Sequence, residues 1–294
     1  MSDWHLPYEI DGSRNTFRDR FGHLSADEWC SVLAASMSEP VIDGVEFPHF
    51  ATVELQEKIH GTSGEVAMNE AGAFYKFIAA KDFFRDKCQQ GANFLDFGTG
   101  WGRIGRFFLR DFDLDCLWGF ETQRSSAFRT RVLNPYFCVL TGPVIPDQTL
   151  PANRFDLIVG FSVFSHLSEF STSAWLAELS RIMRPDGYCV MTTFGERLLS
   201  QLLDAHAALE RGDEVHWYHK HVLEAAGDIV EQRDRYRRGE FVWISDNPSR
   251  HFGLATLLPD KTLKSLIRRL RIPLELVEFD HHTLSMDTFI LRRL

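Results

Sequence analysis

From residue 91 onward the chain alternates between short apolar runs and amphipathic stretches. The runs Asn93–Phe97, Leu114–Phe120, Tyr136–Leu140, Phe155–Phe161 and Gly187–Phe194 are nearly continuous, as strands covered on both faces read. Between them, Ile104, Phe107 and Phe108 mark one helical face, and Trp175, Leu176, Leu179, Ile182 and Met183 mark another. Strand and helix in turn predict an α/β fold, a parallel sheet covered on both sides.

Residues 1–90 read as mostly helical. Ser25 caps a helix over Ser25–Met37, with Asp27 and Glu28 in its first turn, and Ala67–Phe84 carries Phe74, Phe77, Ile78 and Phe84 at helical spacing. The loop His60–Glu65, punctuated by two glycines, lies between them. After Gly195 the alternation stops. A helix over Glu196–Glu210, a His/Trp-rich stretch Val215–His221 and an Arg-rich stretch follow. Leu263, Leu266, Ile267 and Leu270 then form a helical stripe, and Leu274–Phe279 and Asp287–Leu291 read as closing strands. The pattern divides the chain into a helical N-terminal segment, 1–90, and a core, 91–294. Within that core, 195–258 is an insertion expected over the carboxyl ends of the strands, where open α/β sheets bind ligands.

Composition narrows the class. The 294 residues are 44% hydrophobic, enough for a full core, and 25 are Phe. A net charge of −9 argues against a general nucleic-acid binder. The run Arg233, Arg235, Arg237, Arg238 is read as a solvated helix face in preference to a basic groove. Cys30, Cys88, Cys116, Cys138 and Cys189 are scattered without a CxxC pair, which argues against a disulfide framework or a structural zinc and places the protein in a reducing cytoplasm. The opening MSDWHLPYEIDG has acidic residues and no apolar core, unlike a signal peptide, and no window approaches a membrane span.

The candidate chemistry lies in Asn93–Gly105, NFLDFGTGWGRIG, where Asp96, Gly98, Thr99, Gly100, Trp101 and Gly102 join a predicted strand to a predicted helix. By itself this loop fits two cofactors. Gly100–Gly105 matches the GxGxxG dinucleotide fingerprint, with Glu121 near the position of a ribose-binding acid, so an NAD(P)-dependent oxidoreductase is one reading. An acid at Asp96 suits the cationic sulfonium and ammonium of S-adenosylmethionine better than an anionic pyrophosphate, which is the other.

Four segments in order resemble the motifs of class I S-adenosylmethionine-dependent methyltransferases. LDFGTGWGR resembles their first motif, and LWGFE (Leu117–Glu121) their second strand with its terminal acid. FDLIVGFSVFSHLSE (Phe155–Glu169) resembles their fourth-strand segment, and WLAELSRIMRPDGYCVMTT (Trp175–Thr193) the helix and turn before the fifth strand. The chain is most similar to bacterial members reading LDFGCGWGR…SVFSHL…WLxEL…LKPGG, over about residues 55–195. Thr99 stands where that subgroup has Cys, and Asp186 where the turn has Gly. The tail HHTLSMDTFILRR resembles the family's last, antiparallel strand.

The resemblance implies a Rossmann-like sheet, mostly parallel, and transfer of a methyl group to O or N of a small-molecule or sugar-like acceptor, with S-adenosylhomocysteine as product. It assigns the donor to Asp96, Gly98, Thr99, Gly100, Trp101, Gly102, Glu121, Thr122, Phe161 and Ser162. A non-catalytic protein on the same fold is a further alternative. His166, just past the fourth strand, is the candidate catalytic residue, as a base or as an anchor for the loop before a helix starting near Ser168. Methyl transfer needs neither a metal nor a nucleophilic Ser, and His216, His219 and His221 share no geometry with an acid that predicts a metal site. His251, His281 and His282 are further candidates to approach the acceptor. Trp101, Phe97 and Phe161 are aromatic candidates near the sulfonium, with core packing expected for Phe97. Gly61–Gly64 is read either as a nest for the donor carboxylate or as a helix-to-helix turn.

Overall fold

A computed structural model describes residues 15–294; the N-terminal MSDWHLPYEIDG stretch lies outside them. The chain divides into two compact units. One runs to Pro143 and includes Thr149–Val159; the other comprises Val144–Gln148 and Gly160–Leu294.

In the first unit, helices α1 (Thr16–Phe21), α2 (Ala26–Ala35), α3 (Val53–His60), α4 (Gly64–Ala79) and α5 (Asp82–Lys87), with a short hairpin of Val41–Ile42 and Val45–Glu46 between α2 and α3, precede the strands of the main sheet. Helix α2 starts where the sequence places it, because the Ser25 hydroxyl accepts from Glu28 N while the Glu28 carboxylate accepts from Ser25 N at 2.8 Å, a reciprocal cap. The single helix expected over Ala67–Phe84 is instead two, α4 ending at Ala79 and α5 starting at Asp82. An aromatic core of Phe17, Phe21, Trp29 and Phe47 lies among the early elements, with ring centroids 5.2–6.5 Å apart.

Strands β1 (Phe94–Phe97), β2 (Leu117–Glu121), β3 (Cys138–Thr141) and β4 (Phe155–Gly160) follow, with α6 (Arg124–Leu133) between β2 and β3. Their order is β4-β1-β2-β3 and every pair is parallel. β1 is buried along its whole length, which is why its apolar run is unbroken.

In the second unit, α7 (Glu169–Ile182) leads into β5 (Met183–Thr193). Asp186, where the resemblance predicted a turn, sits within β5 at φ +61. The segment after Gly195 holds α8 (Glu196–Glu210), α9 (Trp217–Ala226) and α10 (Ile229–Arg237), with a small antiparallel pair, Val242–Ile244 and Ala255–Leu257. It has its own apolar core, including Leu199, Leu202, Val222, Ile229 and Val242. Helix α11 (Asp260–Leu270) buries Leu263, Leu266 and Ile267 of the predicted stripe. Strands β6 (Leu274–Asp280) and β7 (Asp287–Arg293) close the chain, β7 antiparallel to both β5 and β6. The fold class is therefore the expected one: α/β, a mostly parallel Rossmann-like sheet with an antiparallel last strand.

Candidate active site

The glycine loop of the first unit is built around one carboxylate. Asp96 is 1% exposed at the carboxyl end of β1, and its Oδ2 accepts from Thr99 Oγ1 and from Gly105 N, both at 2.9 Å. Burial pushes its carboxyl up to about 6, against the pull of those two bonds. Gly98, Gly100 and Gly102 all have positive φ (+77, +57 and +85), so the chain turns back on itself through conformations that L side chains rarely adopt. Gly98 N and Thr99 N both donate to Phe120 O, at 2.9 and 3.0 Å, fastening the loop to β2.

The α-helix expected after the loop is absent; a short 3-10 turn, Gly105–Phe108, stands in its place. The reason is local. The bond that would begin an α-helix runs from Gly105 N to Trp101 O, and each group is already taken. Asp96 holds the amide, while Asn134 Nδ2 donates to Trp101 O at 2.7 Å. Thr130 Oγ1 also donates to Gly100 O, so α6 holds the loop from below.

Glu121 closes β2 and has its carboxylate at the loop. Oε2 accepts from Gly100 N at 3.1 Å and Oε1 from Gln123 N at 2.9 Å, and Thr122 Oγ1 lies 3.5 Å from Oε1. Desolvation raises its pKa while these bonds pull it back. The first unit thus gathers Asp96, the glycines, Glu121 and Thr122. Trp101 is there too, but its side chain is only 1% exposed and packs at 4.6 Å against the guanidinium of Arg106, itself fully buried. That ring already has a cation. Phe97 stacks on Phe120 with centroids 5.7 Å apart, in the core role expected of it.

Gly61 and Gly64 resolve as a helix-to-helix turn. Gly61 N donates to Glu57 O at 2.8 Å and Gly64 N to Gln56 Oε1 at 3.0 Å, so both amides are committed within the chain.

The second unit holds Phe161, Ser162 and His166 just past β4. Ser162 adopts φ +58, a costly conformation for a residue other than glycine, and its amide donates to Thr192 Oγ1 at 2.7 Å. Its hydroxyl lies 3.3 Å from His166 Nε2. His166 Nδ1 is 3.2 Å from Gly253 O, which can only accept, so Nδ1 carries the proton and Nε2 receives the serine hydroxyl. The ring stacks on Phe252 at 5.1 Å and meets Phe194 edge-on at 5.7 Å, and desolvation holds its pKa low. The helix behind it starts at Glu169 with Ser168 as its cap.

Of the other histidines, His216 caps α9, accepting from Tyr218 N at 3.3 Å, and His219 follows on the same helix. Among the described residues no group of three His, Cys, Asp or Glu could hold a metal ion. Each arginine of the basic run meets an acid: Arg233 with Asp234, Arg235 and Arg238 with Glu240, Arg237 with Glu196. Sequence reasoning overlooked Asn134 and Thr130, which brace the loop from about 30 residues away, and Asp287 and Tyr236, described below. Asn134 is the C-cap of α6, a helix that the hydrophobic pattern of the sequence does not mark.

The methyltransferase-domain profile matches residues 69–228, more than half of the chain, which belongs to that family. Its cofactor is S-adenosylmethionine. The residues present fit that group: three positive-φ glycines allow close approach, and a carboxylate at the end of β2 suits ribose hydroxyls. A comparison with curated protein sequences returns no match.

Among solved structures, the chain is similar to a SAM-dependent methyltransferase from Leishmania major, with TM-score 0.50 and 13% identity over 90% of this chain and 82% of that one. It is also similar to magnesium protoporphyrin IX methyltransferase from Synechocystis with bound SAH, at TM-score 0.49 and 10% identity over 82% and 94%. A third is 1,6-didemethyltoxoflavin-N1-methyltransferase from Burkholderia thailandensis, at TM-score 0.47 and 14% identity over 92% and 91%.

Proposed function

We propose that the protein transfers the methyl group of S-adenosylmethionine to an O or N atom of a small-molecule or sugar-like acceptor and releases S-adenosylhomocysteine. The observation that carries this reading is the Glu121 carboxylate bonded to Gly100 N above a loop of three positive-φ glycines. When bound, the sulfonium supplies an activated methyl group, so the chain's work is positioning and exclusion of water. Glu121 and the neighbouring Thr122 would hold the ribose, and the backbone of Gly98–Gly102 would line the donor, with Asp96 acting through the loop that it braces. His166, neutral and with Nε2 on the Ser162 hydroxyl, would orient that hydroxyl toward the acceptor.

In the same reading, residues 195–258 form a lid over the acceptor, and the free thiols of all five cysteines fit a reducing cytoplasm. Among the described residues no helix is long and apolar enough to cross a membrane. The dinucleotide reading loses support because the GWGRIG segment opens no α-helix whose N-terminus would receive a pyrophosphate.

The test is thermal unfolding with S-adenosylhomocysteine. Millimolar ligand raises the Tm of the wild type, and Glu121→Ala removes that rise. No rise for the wild type overturns the reading.

A further inference from the structure

Ser162 lies just beyond β4, in the turn between that strand and α7. Its backbone is in the left-handed region, at φ +58, and its amide is committed to Thr192 Oγ1. A serine strained in this way between a strand and a helix is how α/β hydrolytic enzymes present a nucleophile. Its hydroxyl is oriented by two neighbours. It donates to His166 Nε2 at 3.3 Å, and Ser165 Oγ, of a fully buried residue, lies 3.3 Å away and can donate to it.

The imidazole is fixed in turn. Gly253 O accepts from its Nδ1–H, Phe252 stacks on the ring and Phe194 meets it edge-on. The His166 backbone is tied as well, its carbonyl accepting from Gly253 N at 2.7 Å and from Trp243 Nε1 at 3.3 Å. Desolvation keeps the ring neutral at neutral pH, so Nε2 offers a lone pair to the hydroxyl. A hydroxyl, a base in contact with it and a third group orienting the base are the parts of an activated serine. Here the third group is a backbone carbonyl. Val163 N, the amide that follows Ser162, donates to no described residue. In strained strand-to-helix turns, that amide is one of the donors that stabilise an oxyanion. All of these groups belong to the second unit. Methyl transfer has no oxyanion to hold and no serine to acylate, so it leaves this arrangement unexplained.

We propose that Ser162 is a nucleophile activated by His166 and that the protein has a second activity, hydrolysis of carboxylic esters through an acyl-serine. The inference does not rest on the methyl-transfer reading. Phe194 and Phe252, both against the imidazole, suit an ester with an apolar acyl group. As the Ser162 oxygen bonds to the carbonyl carbon, its proton passes to His166 Nε2 and the carbonyl oxygen becomes an oxyanion, met by Val163 N–H. The carbon–oxygen bond to the alcohol then breaks, and the leaving oxygen takes the proton from His166. Water attacks the acyl-serine in the same way, giving up a proton to His166, and the acid leaves as Ser162 recovers its hydrogen.

The experiment treats the full-length chain at pH 7.5 with an alkyl fluorophosphonate and, separately, with 4-nitrophenyl acetate. The fluorophosphonate adds once per chain, on the peptide that carries Ser162, and the ester gives a burst of about one 4-nitrophenolate per chain. Ser162→Gly, whose backbone suits φ +58 and so keeps the fold, loses both the adduct and the burst. His166→Gln, which cannot accept the proton, slows both by about 100-fold while circular dichroism stays that of the wild type. No adduct on the wild type, an adduct on another residue, a burst that survives in Ser162→Gly, or an equal labelling rate in His166→Gln overturns the proposal. Binding of S-adenosylhomocysteine, measured on the same samples, tests the methyl-transfer reading separately.

Discussion

Asp96 in the first unit and Asp287 in the second are both buried carboxylates at strand ends, and each gathers the chain around it. Asp96 takes its two donors from three and nine residues along the chain, so its cluster is a local loop. Asp287 takes a tyrosine, Tyr236, from 51 residues away and a histidine, His281, from six, and presses on Gly195 from a third segment. A local cluster writes itself into a contiguous motif; a long-range one leaves isolated residues with nothing in common. The first builds a surface from backbone, and the second holds a side chain in place.

The comparison breaks most readily at the glycines. Gly102→Ala forces a side chain at φ +85 and puts a Cβ 2.3 Å from Asn134 Nδ2, the atom that holds Trp101 O. The expected cost is about 3 kcal/mol, from strain plus a displaced buried bond, with loss of donor binding; chemical denaturation and a ligand titration measure both. Gly100→Ala, whose added Cβ meets nothing closer than Gly98 O at 4.0 Å, costs only about 1 kcal/mol of strain. Equal effects of the two would contradict the role given to Asn134.

Gly195→Ala tests the second cluster. Its backbone is ordinary and extended, so any loss, about 2 kcal/mol by overpacking, comes from the Asp287 carboxylate alone. The double variant with Asp287→Ala should recover most of it, and additive losses would show that the carboxylate is not the obstacle.

A smaller effect appears in the pH dependence. The Asp96 carboxyl is raised from 3.8 to about 6 in the fold, so between those values the native state keeps a proton that the unfolded chain releases. Its contribution to stability is present below about pH 4 and is lost as pH rises toward 6 and beyond. Asp96→Asn lacks that loss, so its stability relative to wild type should improve by roughly 2 kcal/mol between pH 4 and 7.5, read from denaturation midpoints. A constant difference would mean that Asp96 ionises normally. Least of all, Arg238→Ala should leave the Tm unchanged, because its ion pair with Glu240 is exposed.

The same contrast explains what was legible in the sequence. The strands, α8 and α11 could be read from unbroken apolar runs and helical stripes, and the α2 cap from Ser25 and Glu28. The glycine loop was legible as a motif, but the helix after it was not real, because Asn134 and Asp96 capture the groups that would start it. Asn134 lies on a different element, and no local pattern records such a competition. His281 stood out as one of several histidines; nothing near it in sequence marks Tyr236 or Gly195 as its company. The second cluster is visible only once β5 and β7 are paired.

In the proposed function, the Glu121 carboxylate and the glycine loop hold the methyl donor. Titration calorimetry of S-adenosylhomocysteine against wild type and Glu121→Gln tests it most directly. Binding to the wild type, weakened tenfold or more in the variant as expected for lost charge-assisted hydrogen bonds, is the predicted result. Equal affinities, or no binding to either, would contradict it.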